Sequence, residues 1–426
     1  MSAGQLQLAI GLGSFTLYMA FLAAERVLLR MARRKLRLVV HVNGTRGKST
    51  VTRMVHSILR EAGYQAWGKT TGTEPRLLLP DGGERLIRRL GPANVREQRN
   101  KLMAAVRGGA DALVFECNAV RPELQLVSSA FLDPDLLVIT NARLDHGSEQ
   151  GDADSAARSF ATTIPAGKAL ASSDTVHKAL WETEAAKKVA RFVFVDPGEG
   201  EGLGDLPENV SCAFAVSDWL GLPRDRAAKA IQCHKPDPGA FRLYRWTGNG
   251  GQRVWFADAL AANDPESSDR LAQRALASAE REGMGLVPTY GLGPVSGNTD
   301  RILLVALRRD RPERTRLFVD YALERCLGAG SVRYDKVVFA GSIPGSERRR
   351  LVEAGVKAEI IRFSGKKTLL TRLGSQVDSS SGDIFIAAVG NRVGCGTYIH
   401  DWAAAKAESL VSGKIDAAAK EASLES

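Results

Sequence analysis

Acidic residues, cysteines and aromatics are all in short supply in this chain, and each shortage narrows its chemistry. Asp and Glu number 48 against 58 Lys and Arg, a formal charge of +10 at neutral pH. A basic balance attracts polyanions: nucleic acid, acidic lipid, or an acidic substrate or product. Aromatics make up only 6% of the residues and do not interleave with basic ones, so no nucleic-acid module is recognisable and no nucleic-acid partner is expected. The five cysteines, Cys117, Cys212, Cys233, Cys326 and Cys395, are scattered with no Cys-x-x-Cys pair. That spacing speaks against a disulfide framework and a cysteine zinc site, and fits a reducing compartment. No internal repeat is visible. With 426 residues, 44% hydrophobic and 25% charged, the chain has material for two globular domains.

Only one long apolar run exists. Leu8 to Ala24 carries no charge, and Arg26, Arg30, Arg33, Arg34, Lys35 and Arg37 follow it. The run is near the lower length limit for a membrane span. Read so, the basic flank places the rest of the chain in the cytoplasm. A cleaved signal peptide would want positive charge ahead of the run, and Met1 to Tyr18 has none. A buried or amphipathic helix of the soluble fold stays open as an alternative.

From residue 36 onward the pattern alternates. Leu36 to Val42 reads as a short buried strand, Ser49 to Ala62 as a helix ended by Gly63, and Val95 to Arg107 as another helix. Asp111 to Glu116, Leu136 to Thr140 and Phe192 to Asp196 read as strands, residues 197–207 as a surface loop, and Asp218 to Ile231 as one helix. Lys235-Pro236-Asp237-Pro238-Gly239 breaks the pattern, and beyond it come strands at Val254 to Ala257, Ile302 to Leu307, Val337 to Ala340 and Ile384 to Ala388. The expectation is an α/β protein: a P-loop domain with a mostly parallel sheet and a second, smaller Rossmann-like α/β domain. The expected domains are an N-terminal membrane helix and flank at 1–35, the P-loop domain at 36–237, the second domain at 238–410 and a tail at 411–426.

Between the first strand and helix stands Asn43-Gly44-Thr45-Arg46-Gly47-Lys48-Ser49-Thr50. The general P-loop pattern would put glycine where Val42 stands, so it fails by one residue. Its physics survives. Glycines let backbone amides turn onto phosphate oxygens, and the helix N-terminus adds partial positive charge. Lys48 is placed to reach the outer phosphates of ATP, and Ser49 or Thr50 to set a hydroxyl on Mg²⁺.

The variant Asn-Gly-Thr-x-Gly-Lys-Ser/Thr-Thr resembles the loop of the Mur ligase superfamily, which includes the peptidoglycan amino-acid ligases and folylpolyglutamate synthase. Those enzymes activate a carboxylate as an acyl phosphate and let an amine displace it. The resemblance implies Glu116, at a strand end, as an Mg²⁺ ligand, although a solvated strand end looks the same. Thr140-Asn141-Ala142-Arg143-Leu144-Asp145-His146 is similar to the superfamily's Thr-Asn…Asp-His segment, implying Asn141 near the nucleotide and His146 at a second metal. The family's carbamoylated lysine has no match in Ser159 to Pro165, and Lys168 is displaced from that place. Residues 235–245 resemble the Pro-Gly-Arg stretch opening the last Mur domain, which puts Arg242 against the nucleotide. Trp255 to Pro265 resembles the Asp-x-Ala-His-Asn-Pro segment, with Asp258 and Asn263 in the acid and amide places and the histidine missing.

Within the superfamily, Glu116 to Gln125, Gly390 to Gly396 and the apolar N-terminus are similar to the poly-γ-glutamate synthase subunits of the PgsB/CapB type. The resemblance implies Mg²⁺- and ATP-dependent joining of a glutamate γ-carboxylate to the amine of another glutamate, on a growing chain at the cell membrane, beside membrane partner subunits. A homo-oligomer is compatible with it. Arg121 and Arg143, beside the metal motifs, are candidates for holding substrate carboxylates. A Mur-like ligase for another amino acid or folate, a P-loop ATPase serving export, and an inactive nucleotide-binding scaffold remain alternative readings.

Overall fold

A computed structural model of the protein describes residues 2–72, 74–89, 91, 94–143, 152–203, 205–237, 239–262, 264–284, 286–287, 295–296, 299–328 and 332–407. His146, Asn263 and the tail at 411–426 lie outside the described residues. The chain divides into two units, Met1–Pro238 and Gly239–Ser426.

The first unit holds α1 (Ala3–Arg34), β1 (Leu38–Asn43), α2 (Lys48–Glu61), β2 (Ala66–Lys69), β3 (Arg76–Leu78), β4 (Glu84–Leu86), α3 (Arg96–Arg107), β5 (Ala112–Glu116), α4 (Pro122–Leu132), β6 (Leu136–Ile139), α5 (Ala153–Thr162), β7 (Ala169–Ser172), α6 (Lys178–Lys187), β8 (Arg191–Phe194), α7 (Pro207–Leu220) and α8 (Arg224–Gln232). Its eight strands form one sheet in the order β4-β3-β2-β5-β1-β6-β7-β8. The six strands from β2 to β8 are parallel, and the β3–β4 hairpin adds an antiparallel edge.

Both faces are covered, as continuous apolar strands demand. Leu38, Val40 and Val42 of β1 pack with Val51, Met54, Val55 and Ile58 of α2 and with α7, which is buried from Asn209 to Ser217. Val39 on the other face meets Leu102 and Ala105 of α3. The helix expected across residues 218–231 is two helices. Gly221 ends α7 in the left-handed region at φ 71°, and Pro223 precedes α8. Glycine favours that backbone and proline cannot continue a helix, so this pair punctuates the chain despite helical periodicity on both sides.

Helix α1 is 32 residues long, about 48 Å at 1.5 Å per residue. Its most apolar 18-residue window has a mean hydropathy of 1.6 and none of it is buried. Leu8, Leu12, Phe15, Leu17 and Phe21 stand exposed, so the alternative of a buried core helix is not what the fold shows. The helix is long and apolar enough to cross a membrane. Its last turns are different. Ala32 joins the core with Leu36, and Arg33 bonds the Leu132 and Asp133 carbonyls and Asp135. Part of the basic flank is therefore a structural tie to the first unit.

The second unit holds β9 (Arg242–Thr247), β10 (Arg253–Asp258), α9 (Pro265–Arg281), β11 (Leu286–Val287), β12 (Val295–Ser296), β13 (Thr299–Ala306), α10 (Pro312–Cys326), β14 (Lys336–Ala340), α11 (Gly345–Glu353), β15 (Ala358–Ile361), α12 (Lys366–Asp378), β16 (Asp383–Gly390) and a helix over 395–407. The main sheet runs β15-β14-β13-β16-β10-β9, parallel except for β9. Its core joins Val254, Phe256, Leu304, Val338, Ile384 and Ile386 to Leu369 and Leu373 of α12 and Ile399 of the last helix.

Candidate active site

In the first sheet, β1 lies between β5 and β6, with Val42 level with Glu116 and Asn43 level with Ile139. The residues leaving these three strand ends therefore meet beyond one edge, where open α/β sheets hold ligands. This topology gathers the phosphate loop, Glu116 and Asn141.

Gly44 and Gly47 take φ 125° and 81°. A Cβ on Gly44 would stand 3.0 Å from both the Thr140 nitrogen and the Asn141 oxygen, and one on Gly47 2.1 Å from Asn209 Oδ1. Glycine is required twice over, by backbone conformation and by close approach. Asn141 braces the loop. Its carbonyl accepts from Thr45 N at 2.9 Å, its Oδ1 accepts from Arg46 N at 3.0 Å, and its Nδ2 donates to Arg46 O at 3.2 Å. Thr45 Oγ1 accepts from Arg143 N at 3.0 Å. Asn43 Oδ1 accepts from Gly44 N at 2.9 Å. Lys48 folds back over the loop, its Nζ donating to the Gly44 and Thr45 carbonyls at 2.6 and 3.0 Å. Thr50 sits half-buried one turn into α2.

Glu116 is buried at the end of β5, 3% exposed. Its Oε2 accepts from Ser49 Oγ at 2.8 Å and from Thr71 N at 2.6 Å. A buried carboxylate facing a hydroxyl beneath a phosphate loop is a hard oxygen donor set, the kind Mg²⁺ prefers. Gly72 passes so close that a Cβ there would lie 2.8 Å from Ser49 Oγ and 3.5 Å from an Asp237 carboxylate oxygen.

Beside it stands a charge cluster that sequence reading missed. Lys69 is fully buried at the end of β2, next to β5, and its Nζ lies 3.0 Å from Glu97 Oε1. Arg89 grips the same carboxylate at 2.7 and 2.9 Å. Burial resists ionisation of Glu97, but the bonds from Arg89 and the charge of Lys69 outweigh it and pull the carboxyl down to about 2. Burial lowers the Lys69 pKa, opposed by Glu97 and then Glu116. Lys69-Thr70-Thr71-Gly72 carried a signal, a lysine leading a Thr/Gly turn, but its strand of four residues is too short to stand out. Asn209, near the start of α7, was missed too; it faces Gly47 and donates to Asp205 at 2.9 Å.

The remaining expected residues fall as follows. Arg143 lies at the loop and its guanidinium meets Glu208 at 3.3 Å. Arg121 is exposed at the cap of α4. Lys168 lies just before β7, at the sheet edge opposite the phosphate loop, pairing with Asp133 and Asp135 at 3.0 and 3.5 Å. In the second unit Asp258 is level with Arg242 across β10 and β9. Asp258 accepts from Leu260 N at 3.2 Å and meets His400 Nδ1 at 2.5 Å. His400, from the last helix, was not foreseen, because 142 residues separate it from its partner.

Residues 42–199 match the Mur ligase middle domain, and residues 243–405 match the poly-γ-glutamate synthase CapB C-terminal domain. The capsule biosynthesis protein CapB of Bacillus anthracis is 31% identical over 290 residues, 66% of this chain and 59% of that protein. The PGA synthase CapB of Bacillus subtilis strain 168 is 32% identical over 295 residues, 67% of this chain and 71% of that protein. The chain belongs to the CapB family of poly-γ-glutamate synthases. Its match spans under two thirds of the B. anthracis relative.

The fold is that of the Mur ligases. MurF from Acinetobacter baumannii superposes with a TM-score of 0.57 at 15% identity, covering 88% of this chain and 79% of that one. The bifunctional folylpolyglutamate synthase/dihydrofolate synthase of Yersinia pestis, solved with AMPPNP and a Mn ion, superposes with a TM-score of 0.56 at 17% identity, covering 90% and 91%.

Proposed function

We propose that the chain is an ATP-dependent, ADP-forming amide ligase that extends poly-γ-glutamate. The observation that carries this reading is the pairing of Ser49 with Glu116 beneath a glycine loop in a CapB family member. In the proposed reaction a γ-carboxylate oxygen attacks the terminal phosphorus of ATP, the bond to the ADP oxygen breaks, and an acyl phosphate forms. The amine of a second glutamate attacks the acyl carbon. Phosphate leaves, the amine sheds a proton, and an amide remains.

The residues of this chain act mainly by position and charge. Amides of residues 44–48 and the start of α2 receive the phosphates. Lys48 exchanges its carbonyl partners for phosphate oxygens. Asn141 and Asn209 keep the loop in shape, and Asn141, Arg242 and Asp258 are assigned to the nucleotide. Ser49 and Glu116 would hold Mg²⁺, which offsets charge on the transferring phosphoryl group. His146 is the residue assigned to a second metal. Arg121 and Arg143 are assigned to substrate carboxylates, Arg143 by leaving Glu208. Arginine suits this because its planar fork meets a carboxylate with two bonds.

Helix α1 would anchor the protein, with both units in the cytoplasm where ATP is found. The basic residues after its apolar run support that orientation. Membrane partner subunits of a synthase complex are part of the same proposal.

The test incubates membranes bearing the protein with ATP, Mg²⁺ and glutamate. ADP, phosphate and γ-linked glutamate are expected, and Lys48→Ala abolishes all three. AMP and pyrophosphate as products would overturn the acyl-phosphate route. ATP turnover indifferent to any amino acid would favour an export ATPase.

A further inference from the structure

Asp258 ends β10 on one edge of the second sheet, and the ligase chemistry leaves the strongly charged β13–β14–β15 part of that same edge unused. Strands β13, β14 and β15 run parallel and end level, Ala306 with Ala340 and Ala340 with Ile361. The segments leaving them emerge side by side, about 5 Å apart from strand to strand. Residues 306–316, 341–350 and 361–367 hold eleven Arg or Lys against three Asp or Glu. Some of that charge is paired: Arg308 grips Asp310, Arg314 donates to Asn391, and Arg350 meets Glu347 and Asp320. Arg309, Arg348, Arg349, Arg362 and Lys367 are exposed and have no ion-pair partner among the described residues.

Helix geometry sharpens the imbalance. α10, α11 and α12 follow these strands, and each starts at this edge with the positive end of its dipole facing it. Helix α12 has Lys366 and Lys367 in its first turn, no acidic residue there and no side-chain cap at Gly365. Cations at a helix N-terminus oppose the dipole, where an acid would normally stand. Unpaired guanidinium groups and helix N-termini converging on one edge are relieved by an anion, and an extended edge by an extended anion.

We propose that this part of the edge is a rail for a polycarboxylate, a γ-linked glutamyl chain held along β13, β14 and β15, across β16 from Asp258; the inference rests on the proposed ligase reading, which supplies that polymer. Four of these five cations are arginine, whose fork matches carboxylates. Phe363 and Tyr398 stack on each other at 5.7 Å between ring centroids. That leaves no series of open rings on which successive bases would stack. The three basic segments present one exposed large apolar side chain, Phe363, too little to insert into lipid.

The test uses the full chain in detergent. A fluorescent γ-linked glutamyl decamer is titrated against it and against a variant carrying Arg309→Gln, Arg349→Gln, Arg362→Gln and Lys367→Gln. The variant is expected to bind the decamer at least about tenfold more weakly and with a shallower salt dependence, as surface charge attraction requires. ADP release with γ-diglutamate as acceptor is expected to stay unchanged. Arg309→Glu alone, at one exposed position, is expected to weaken binding in the same direction, which guards against a folding defect in the fourfold variant. Decamer binding within twofold of the unaltered chain would overturn the rail. So would a charge-matched oligonucleotide or a phosphatidylglycerol vesicle that binds more tightly than the decamer and suffers the larger loss. Variant-sensitive decamer binding, together with membranes bearing the protein and its partner subunits that show no glutamate-dependent ADP release, would support the rail and refute the ligase reading.

Discussion

Ser49 Oγ and Glu116 Oε2 are 2.8 Å apart, which brings the first turn of the helix after the phosphate loop onto the carboxylate ending the neighbouring strand. The contact depends on β5 pairing in register with β1, Glu116 level with Val42. A one-residue slip in either strand would send the carboxylate to the opposite face of the sheet. The Thr71 amide holds the same oxygen and fixes the carboxylate from a third segment.

Replacing that charge while keeping the shape separates bracing from catalysis. Glu116→Gln keeps an oxygen to accept from Ser49 but loses the negative charge a cation needs. ATP turnover is expected to fall by about 10²–10³-fold, the scale of losing one electrostatic element of a phosphoryl-transfer site. Metal-free nucleotide affinity and melting temperature are expected to change little. Isothermal titration beside a coupled ADP assay reads both quantities, and turnover within about threefold of the unaltered enzyme would remove Glu116 from the site.

Gly47→Ala tests the loop itself. The added Cβ meets Asn209 Oδ1 at 2.1 Å, and φ 81° is strained for any residue with a side chain. The expected cost is about 1–3 kcal/mol of stability, with weaker ATP binding. Adding Asn209→Ala removes the clash but not the backbone strain. The double variant is therefore expected to recover only part of the loss, and urea unfolding of the four forms measures the coupling. Full recovery would mean that backbone strain contributes nothing.

Legibility divided along local and non-local lines. Strand β1, the glycine loop and α2 were readable because Val39, Val40 and Val42, two glycines and an amphipathic helix are all local signals within 25 residues. Glu116 was readable as the polar end of an apolar strand. The Lys69, Arg89 and Glu97 cluster was not, since it gathers the end of β2, the segment after β4 and the first turn of α3, which no local pattern joins. The break between α7 and α8 was missed although Gly221 and Pro223 were in plain view, because periodicity on either side outweighed the punctuation. His400 meets Asp258 only after the last helix packs onto the second sheet.

That pair predicts an order of stabilities. Asp258 is 4% exposed, and its two oxygens serve His400 and the Leu260 amide. Asp258→Ala leaves both donors without a partner, at an expected cost of about 1–3 kcal/mol for each buried group left unsatisfied. His400→Phe keeps an aromatic edge toward Tyr244, 6.1 Å away between centroids, and strands only the carboxylate oxygen. Unfolding followed by tryptophan fluorescence, with Trp246 and Trp402 in this core, is expected to rank Asp258→Ala as the less stable variant. The reverse order would assign the main role to the histidine ring.

Two buried histidines contribute to the response to mild acid. Burial, reinforced by the charge of Lys69, lowers His41 from 6.5 to about 3. Burial also lowers His56 to about 4, with the Ala66 carbonyl opposing and Arg60 and Arg53 assisting. In the unfolded chain both take up protons near 6.5, whereas in the fold they stay neutral until far lower pH. The unfolded state therefore holds more protons between these values, and stability must rise with pH across that window. Their contribution is fully present above pH 6.5 and is lost progressively as pH falls toward 4 and then 3. The urea midpoint of the full chain in detergent is expected to fall steadily from pH 7.5 to 5. His41→Leu, which removes one titrating group next to Lys69, is expected to flatten that fall. An unchanged slope in His41→Leu would show that His41 is not held neutral by its burial in β1.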